Sequence, residues 1–152
     1  MENGQSKIDA LRGLAVPPQL LFINGRWCPA QDGETIDTFS PLDGRRLASL
    51  SRGSHLDVDR AVACARSAFG KGVWSRAAPA ERKKVLFRVA ELIEKNALEL
   101  AVLGVRDNGT EISMALKAEP GSAAATFRYY AEALDKVYGE IAPTPENVLG
   151  LI

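Results

Sequence analysis

The hydrophobic period of this 152-residue chain becomes helical at Ser54, and that change limits what it can fold into. Before Ser54 the signals are short runs separated by turns. Leu20 to Ile23 is apolar and leads into Asn24-Gly25, the strongest short-range hairpin signal, with Arg26-Trp27 beginning the return. Thr35 to Phe39 alternates until Pro41 stops it, and Arg46 to Leu50 follows the turn Asp43-Gly44. These are three short strands. After Ser54 the period is helical. Val58, Val62, Ala65 and Phe69 share one helix face, and Ser54 with Asp57 three residues on reads as an N-cap. Gly70 and Gly72 end that helix.

Three or four more helices follow. Pro79 suits a first helical position, and Val85, Val89, Leu92 and Ile93 form the stripe behind it. Asn96 with Glu99 is placed to cap the next helix, which carries Leu100 and Leu103 and ends at Asp107-Asn108-Gly109. A short helix over Thr110 to Lys117 is expected to break at Pro120-Gly121. Ser122 would then cap a last helix with Phe127, Tyr130, Ala131, Leu134 and Tyr138 on one face and Gly139 as its stop. The tail holds Pro143 and Pro145, then the apolar run Val148 to Ile152, the start of a C-terminal strand. Residues 1–19 read as a weakly ordered lead ending in the extended pair Pro17-Pro18. The expected fold is a helix-rich α+β arrangement: three short N-terminal strands, four to five helices and the start of a C-terminal strand.

Composition removes several function classes. Nineteen basic and nineteen acidic residues cancel, so there is no electrostatic footprint for nucleic acid or an anionic membrane surface. Two cysteines make neither a disulfide framework nor a four-thiolate metal site. Met1 to Lys7 is polar, without a basic region followed by an apolar one, and Gly13 to Gly25 is interrupted by two prolines. The expectation is a soluble, cytoplasmic protein with free thiols.

The chain has few groups arranged for catalysis. His55 is the one histidine, and no Ser lies in a G-x-S-x-G elbow. Cys64 shares a helix flank with Ala61 and Ala68, which suits packing, and Cys28 follows a strand with no group evidently placed to lower its pKa. Metal-binding spacings are absent. Gly70-Lys71-Gly72 has Ser75 where a third glycine of a dinucleotide loop would stand, and it follows a helix rather than a strand. Arg82, Lys83, Lys84 and Arg88 read as a solvated helix face. Phe127, Tyr129 and Tyr130 read as packing residues.

Taken in order, local sequences go further. Phe22-Ile-Asn-Gly-Arg-Trp27 resembles the opening strand of the NAD(P)-dependent aldehyde dehydrogenases. Phe39-Ser-Pro-Leu-Asp-Gly44 is similar to the turn that follows it there, and Val58 to Phe69 looks like their first long helix. Trp74-Ser75, Pro79 to Arg82, Ala90 to Glu94, Asp107-Asn108-Gly109 and Arg128 to Ala131 continue the series in the same order. Within that family, Tyr130 to Glu140 looks most like the enzymes that oxidise γ-glutamyl-γ-aminobutyraldehyde in putrescine breakdown.

The resemblance implies an α/β parent enzyme that oxidises an aldehyde to a carboxylic acid with NAD or NADP, as a homo-dimer or homo-tetramer. A cysteine thiolate attacks the aldehyde, an Asn and a backbone N–H hold the oxyanion, and a Glu activates water. The segments carrying that Cys, Glu, Asn and the cofactor-phosphate loop have no counterpart here. This chain is therefore expected to be an N-terminal fragment, inactive alone, with no catalytic or cofactor-binding residue of its own. Its expected division is a lead (1–19), the N-terminal part of the cofactor domain (20–139) and the start of an oligomerisation arm (140–152). The alternative is a non-catalytic partner of a full-length subunit. One minor site carries over: a monovalent cation near Thr38 and Asp107.

Overall fold

A computed structural model describes residues 4–152. Met1, Glu2 and Asn3 of the expected lead, with that much of the polar N-terminus, lie outside the described residues. Four strands, rather than three, precede the main helices, because the return of the first hairpin is a strand itself. Strands β1 (Leu21–Ile23) and β2 (Arg26–Cys28) pair antiparallel with Ile23 opposite Arg26. The two-residue loop between them holds Asn24 at φ 54° and Gly25 at φ 74°, the double positive φ that a tight hairpin of this hand requires. Strands β3 (Thr35–Phe39) and β4 (Arg46–Ser51) form a second antiparallel pair with a bulge between Thr38 and Phe39. Gln19 extends this pair: its N–H donates to Ser49 O, and its own carbonyl accepts from Ser51 N–H, both at 2.8 Å.

Helix α1 spans Gly4–Gly13, where the sequence suggests only a weakly ordered lead. It buries no side chain of its own. Arg106 holds it instead, its Nη1 donating to the carbonyls of Leu11 (3.3 Å) and Leu14 (2.8 Å) at the helix's C-terminal end. That contact is ninety-two to ninety-five residues distant in sequence, so no local pattern announces it.

Helix α2 (His55–Lys71) begins with the expected cap. Ser54 and Asp57 satisfy each other reciprocally as a capping box, and Gly72 closes the helix at φ 76°. Asp57 does more than cap. Its carboxylate also accepts from the N–H of Gln31 at 3.1 and 3.2 Å, tying α2 to the loop after β2. The Gln31 N–H first, then the Ser54 N–H and hydroxyl, hold this buried carboxyl below its ordinary pKa.

Helices α3 (Pro79–Lys95), α4 (Ala97–Asn108) and α5 (Ile112–Ala133) form the packed part of the chain. Their shared interior is built from small residues: Ala90, Ala101, Ala115, Ala124 and Ala131 are buried, with Val102 the largest apolar side chain fully enclosed. Alanines let helix axes approach closely. Three details differ from the sequence reading. Pro120 does not break the chain; one helix runs through it from Ile112 to Ala133, because Pro120 is itself buried on the packed face with Ala115 and Ala124. Packing there outweighs the roughly 3 kcal/mol a mid-helix proline costs. Consequently Ser122 caps nothing, and its carbonyl accepts from the Thr126 hydroxyl within the helix. Asn96 does not cap α4 with its side chain; its Nδ2 donates backward to Leu92 O at 2.7 Å, finishing α3. The helix also stops short of Gly139, because Val137 and Tyr138 find nothing to pack on and are each 83% exposed.

The tail folds as a hairpin of β5 (Ile141–Ala142) and β6 (Gly150–Leu151). The result is a helix-rich α+β chain. Its accessible surface is 11437 Å², whereas a compact monomer of its mass exposes about 7,500 Å². Much of the excess is apolar. On α2, Val58, Val62 and Phe69, the stripe that identifies the helix in the sequence, are all exposed.

Candidate functional site

The structure brings the two expected cation residues to one place. Thr38 stands on β3 just before the bulge, half-buried, and Asp107 lies in the last turn of α4. Both line a cavity of about 330 Å³, with Gln19 and Ala48 on the strand side and Gly104 and Arg106 on the helix side. Local chemistry fixes this meeting. Gly109 ends α4 at φ 77°, its N–H donating to Val105 O at 2.9 Å. A Cβ on Gly109 would come within 3.1 Å of Pro41 Cγ, so the helix end sits directly against the β3–β4 turn. Glycine is needed there for both φ and space.

The cavity carries charge of both signs, from Asp107 and Arg106. Asp107 places a carboxylate at the negative end of the α4 dipole. The side-chain oxygens that line it are the Thr38 hydroxyl and the Asp107 carboxylate. Among the described residues no group of three or more His, Cys, Asp or Glu gathers to hold a metal ion. Such a donor set fits a hard cation and not a thiophilic one. Arg106 lines the same cavity, with its guanidinium drawn toward the α1 carbonyls.

Both cysteines are free. Cys64, half-buried, lines an open groove with Ala61, Ala65 and Ala68, beside the β1–β2 hairpin at Phe22 to Gly25. Cys28 has a neighbour that the sequence does not announce. Arg60 donates from Nη2 to its Sγ at 2.8 Å, while the thiol reaches Leu21 O at 3.6 Å. Asp57 in turn lies 3.9 Å from Arg60. The i,i+3 spacing announces the Asp57–Arg60 pair, but nothing local announces the reach of Arg60 to Cys28, thirty-two residues away. Among the described residues no His, Asp or Glu bonds to either thiol, so neither thiol has a base.

The Gly70-Lys71-Gly72 segment at the end of α2, with Gly70 still inside the helix, is not a phosphate cradle. The Gly72 N–H is spent on Ala68 O (3.3 Å) and Phe69 O (3.1 Å), and a Cβ there would strike Arg76 Cδ at 2.6 Å. The described residues therefore do not fit a dinucleotide's phosphates at this loop. The basic face of α3 is only partly solvated. Lys84 pairs with Glu81 and Arg88 with Glu91 along the helix, as its charge pattern suggests. Lys83, however, bridges to Asp135 at 2.8 Å and Glu132 at 3.5 Å, binding α3 to the end of α5. Lys83 and then Lys136 pull the Asp135 carboxyl down to about 2. No helix among the described residues is long and apolar enough to cross a membrane.

Comparison with known proteins gives this geometry its context. Residues 27–152 match the model of the aldehyde dehydrogenase family. The chain is 45% identical over 132 residues to the NADP/NAD-dependent aldehyde dehydrogenase PuuC of Escherichia coli, covering 87% of this chain and 27% of that protein. Among solved structures, the indole-3-acetaldehyde dehydrogenase AldA of P. syringae, bound to NAD+, superimposes with a TM-score of 0.91 at 41% identity, over 99% of this chain and 30% of that one. The γ-glutamyl-γ-aminobutyraldehyde dehydrogenase of Burkholderia cenocepacia gives a TM-score of 0.88 at 38% identity, over 97% of this chain and 29% of that one. The chain thus spans less than a third of each relative's length.

Proposed function

This chain belongs to the aldehyde dehydrogenase family, and we propose that it serves an enzyme oxidising an aldehyde to a carboxylic acid with NAD+ or NADP+. The observation that carries the reading is the family match over residues 27–152. The proposed substrate is γ-glutamyl-γ-aminobutyraldehyde, supported by the likeness to PuuC and to the B. cenocepacia enzyme of that name. The proposed setting is the cytoplasm, as a homo-dimer or homo-tetramer.

Within such an enzyme these residues contribute scaffold. The end of α4 abuts the β3–β4 turn, and Thr38 and Asp107 supply two oxygen ligands for a monovalent cation there. A nicotinamide cofactor would supply the hydride acceptor of such an enzyme. No described residue is assigned to holding it, nor to the roles of nucleophile, base or oxyanion donor. The 152 residues alone are therefore proposed to be inactive, since neither thiol has a base beside it. A second reading, a non-catalytic partner of a longer subunit, is favoured by one observation: the β5–β6 hairpin leaves Leu149, Leu151 and Ile152 more than two-thirds exposed.

Reduction of NAD+ and NADP+, followed by absorbance, tests the proposal. The purified chain should give no turnover with γ-glutamyl-γ-aminobutyraldehyde, and a longer gene product containing it should. Turnover by the chain itself, abolished by Cys28→Ala or Cys64→Ala, would refute its inactivity. A longer product that leaves every aldehyde unoxidised would refute the enzyme reading.

A further inference from the structure

A second cavity, of about 590 Å³, opens between the C-terminal end of α1, the β3–β4 turn and α4. Arg12, Arg45, Arg46 and Arg106 line it from these three elements, against a single lining carboxylate, Asp43. In a chain whose charges cancel overall, four arginines lining one space are a local departure. Their present partners are weak. Arg12 reaches Asp9 at 3.8 Å and Arg45 reaches Asp43 at 3.5 Å, both in solvent. Arg46 pairs more closely, with Asp37 at 2.7 Å, yet remains half exposed. Arg106 meets the carbonyls of Leu11 and Leu14 and, among the described residues, no carboxylate. Exposed ion pairs of this kind contribute little and exchange readily.

We propose that this cavity binds a small, multiply charged anion whose negative oxygens are clustered, as in a polyphosphate or a polycarboxylate. The planar fork of arginine matches both groups, and several forks converging from separate elements grip one anion better than any surface pair. The volume suits a small molecule. Arg106 gives the site a structural consequence. The same side chain that closes the end of α1 lines the anion cavity and also the cavity of Thr38 and Asp107. Anion binding at Arg106 therefore acts on the docking of α1.

Titration calorimetry of the 152-residue chain with inorganic pyrophosphate, and separately with citrate, tests this at low salt. Saturable binding weakened by added KCl is the expected result. Arg45→Gln should weaken it about fivefold, since Arg45 is 86% exposed and carries no packing. Asp43→Asn should strengthen it by removing the competing charge while keeping the turn's acceptor. Arg88→Gln, on α3, should leave it unchanged. Binding of both probes assigns the site to clustered oxyanions in general, and binding of pyrophosphate alone assigns it to phosphates. Absence of saturable heat with either probe, in a sample whose circular dichroism is helical, would overturn the proposal. So would an affinity that Arg45→Gln leaves unchanged or Arg88→Gln lowers equally.

Discussion

Helices α2 and α5 are both long and both carry an apolar stripe, yet one is enclosed and the other is bare. On α5 the stripe of Ala115, Pro120, Ala124 and Ala131 is buried between α3 and α4. On α2 the stripe is larger and more hydrophobic, and Val58, Val62 and Phe69 stand in solvent; Asp57 is the helix's buried residue. The element with most to gain from burial is the one left uncovered. A stripe at helical spacing shows that a helix is built to face something, without showing that the something lies in the same 152 residues. The excess accessible surface extends the point to the whole chain: the alanine-lined interior of the α3–α5 bundle is enclosed, while α2, the tail and outward apolar residues of the bundle itself, Val85, Tyr129 and Tyr130 among them, are exposed.

The largest difference between the two regions should appear when a buried small residue is enlarged. Ala101 is fully enclosed, so Ala101→Leu should lower stability by about 1–3 kcal/mol through overpacking. Val62→Ala on the bare stripe should change it by less than about 0.5 kcal/mol. Urea unfolding of the two variants measures both, and equal losses would erase the comparison. A smaller effect separates the regions by pH. The folded pKa of Asp135 lies near 2 against an ordinary 3.8, so its pairing with Lys83 stabilises the α3–α5 contact in full above pH 3.8. That contribution is lost as pH falls from there toward 2. Asp135→Asn should flatten this part of the acid limb, read by thermal melts across pH. Asp57 has the same sign, and would need the double variant to be seen alone.

Much of the local structure was legible because its causes are local. Asn24-Gly25 makes its own hairpin, Ser54 and Asp57 make their own cap, and Gly72 and Gly109 end helices by adopting a positive φ. The errors have non-local causes. Pro120 stays helical because α3 and α4 enclose it, α1 exists where Arg106 reaches it, and Lys83 is paired because α5 ends beside it. The candidate cation site was half legible. The resemblance placed Thr38 and Asp107, while the closeness of β3 to the end of α4 depends on Gly109 lying against Pro41. Arg60 at Cys28 was not legible, since it needs the packing of α2 on the first hairpin.

Native-state hydrogen exchange of the chain, resolved by residue, tests the contrast most directly. Amides of α4 and α5 around Ala101, Ala115, Ala124 and Ala131 should be the slowest, exchanging only on global unfolding. Those of α2 and of residues 137–152 should exchange at least about a hundredfold faster, through local opening. Equal protection in α2 and α5 would contradict the account, because α2 would then be held by contacts that its exposed stripe does not make.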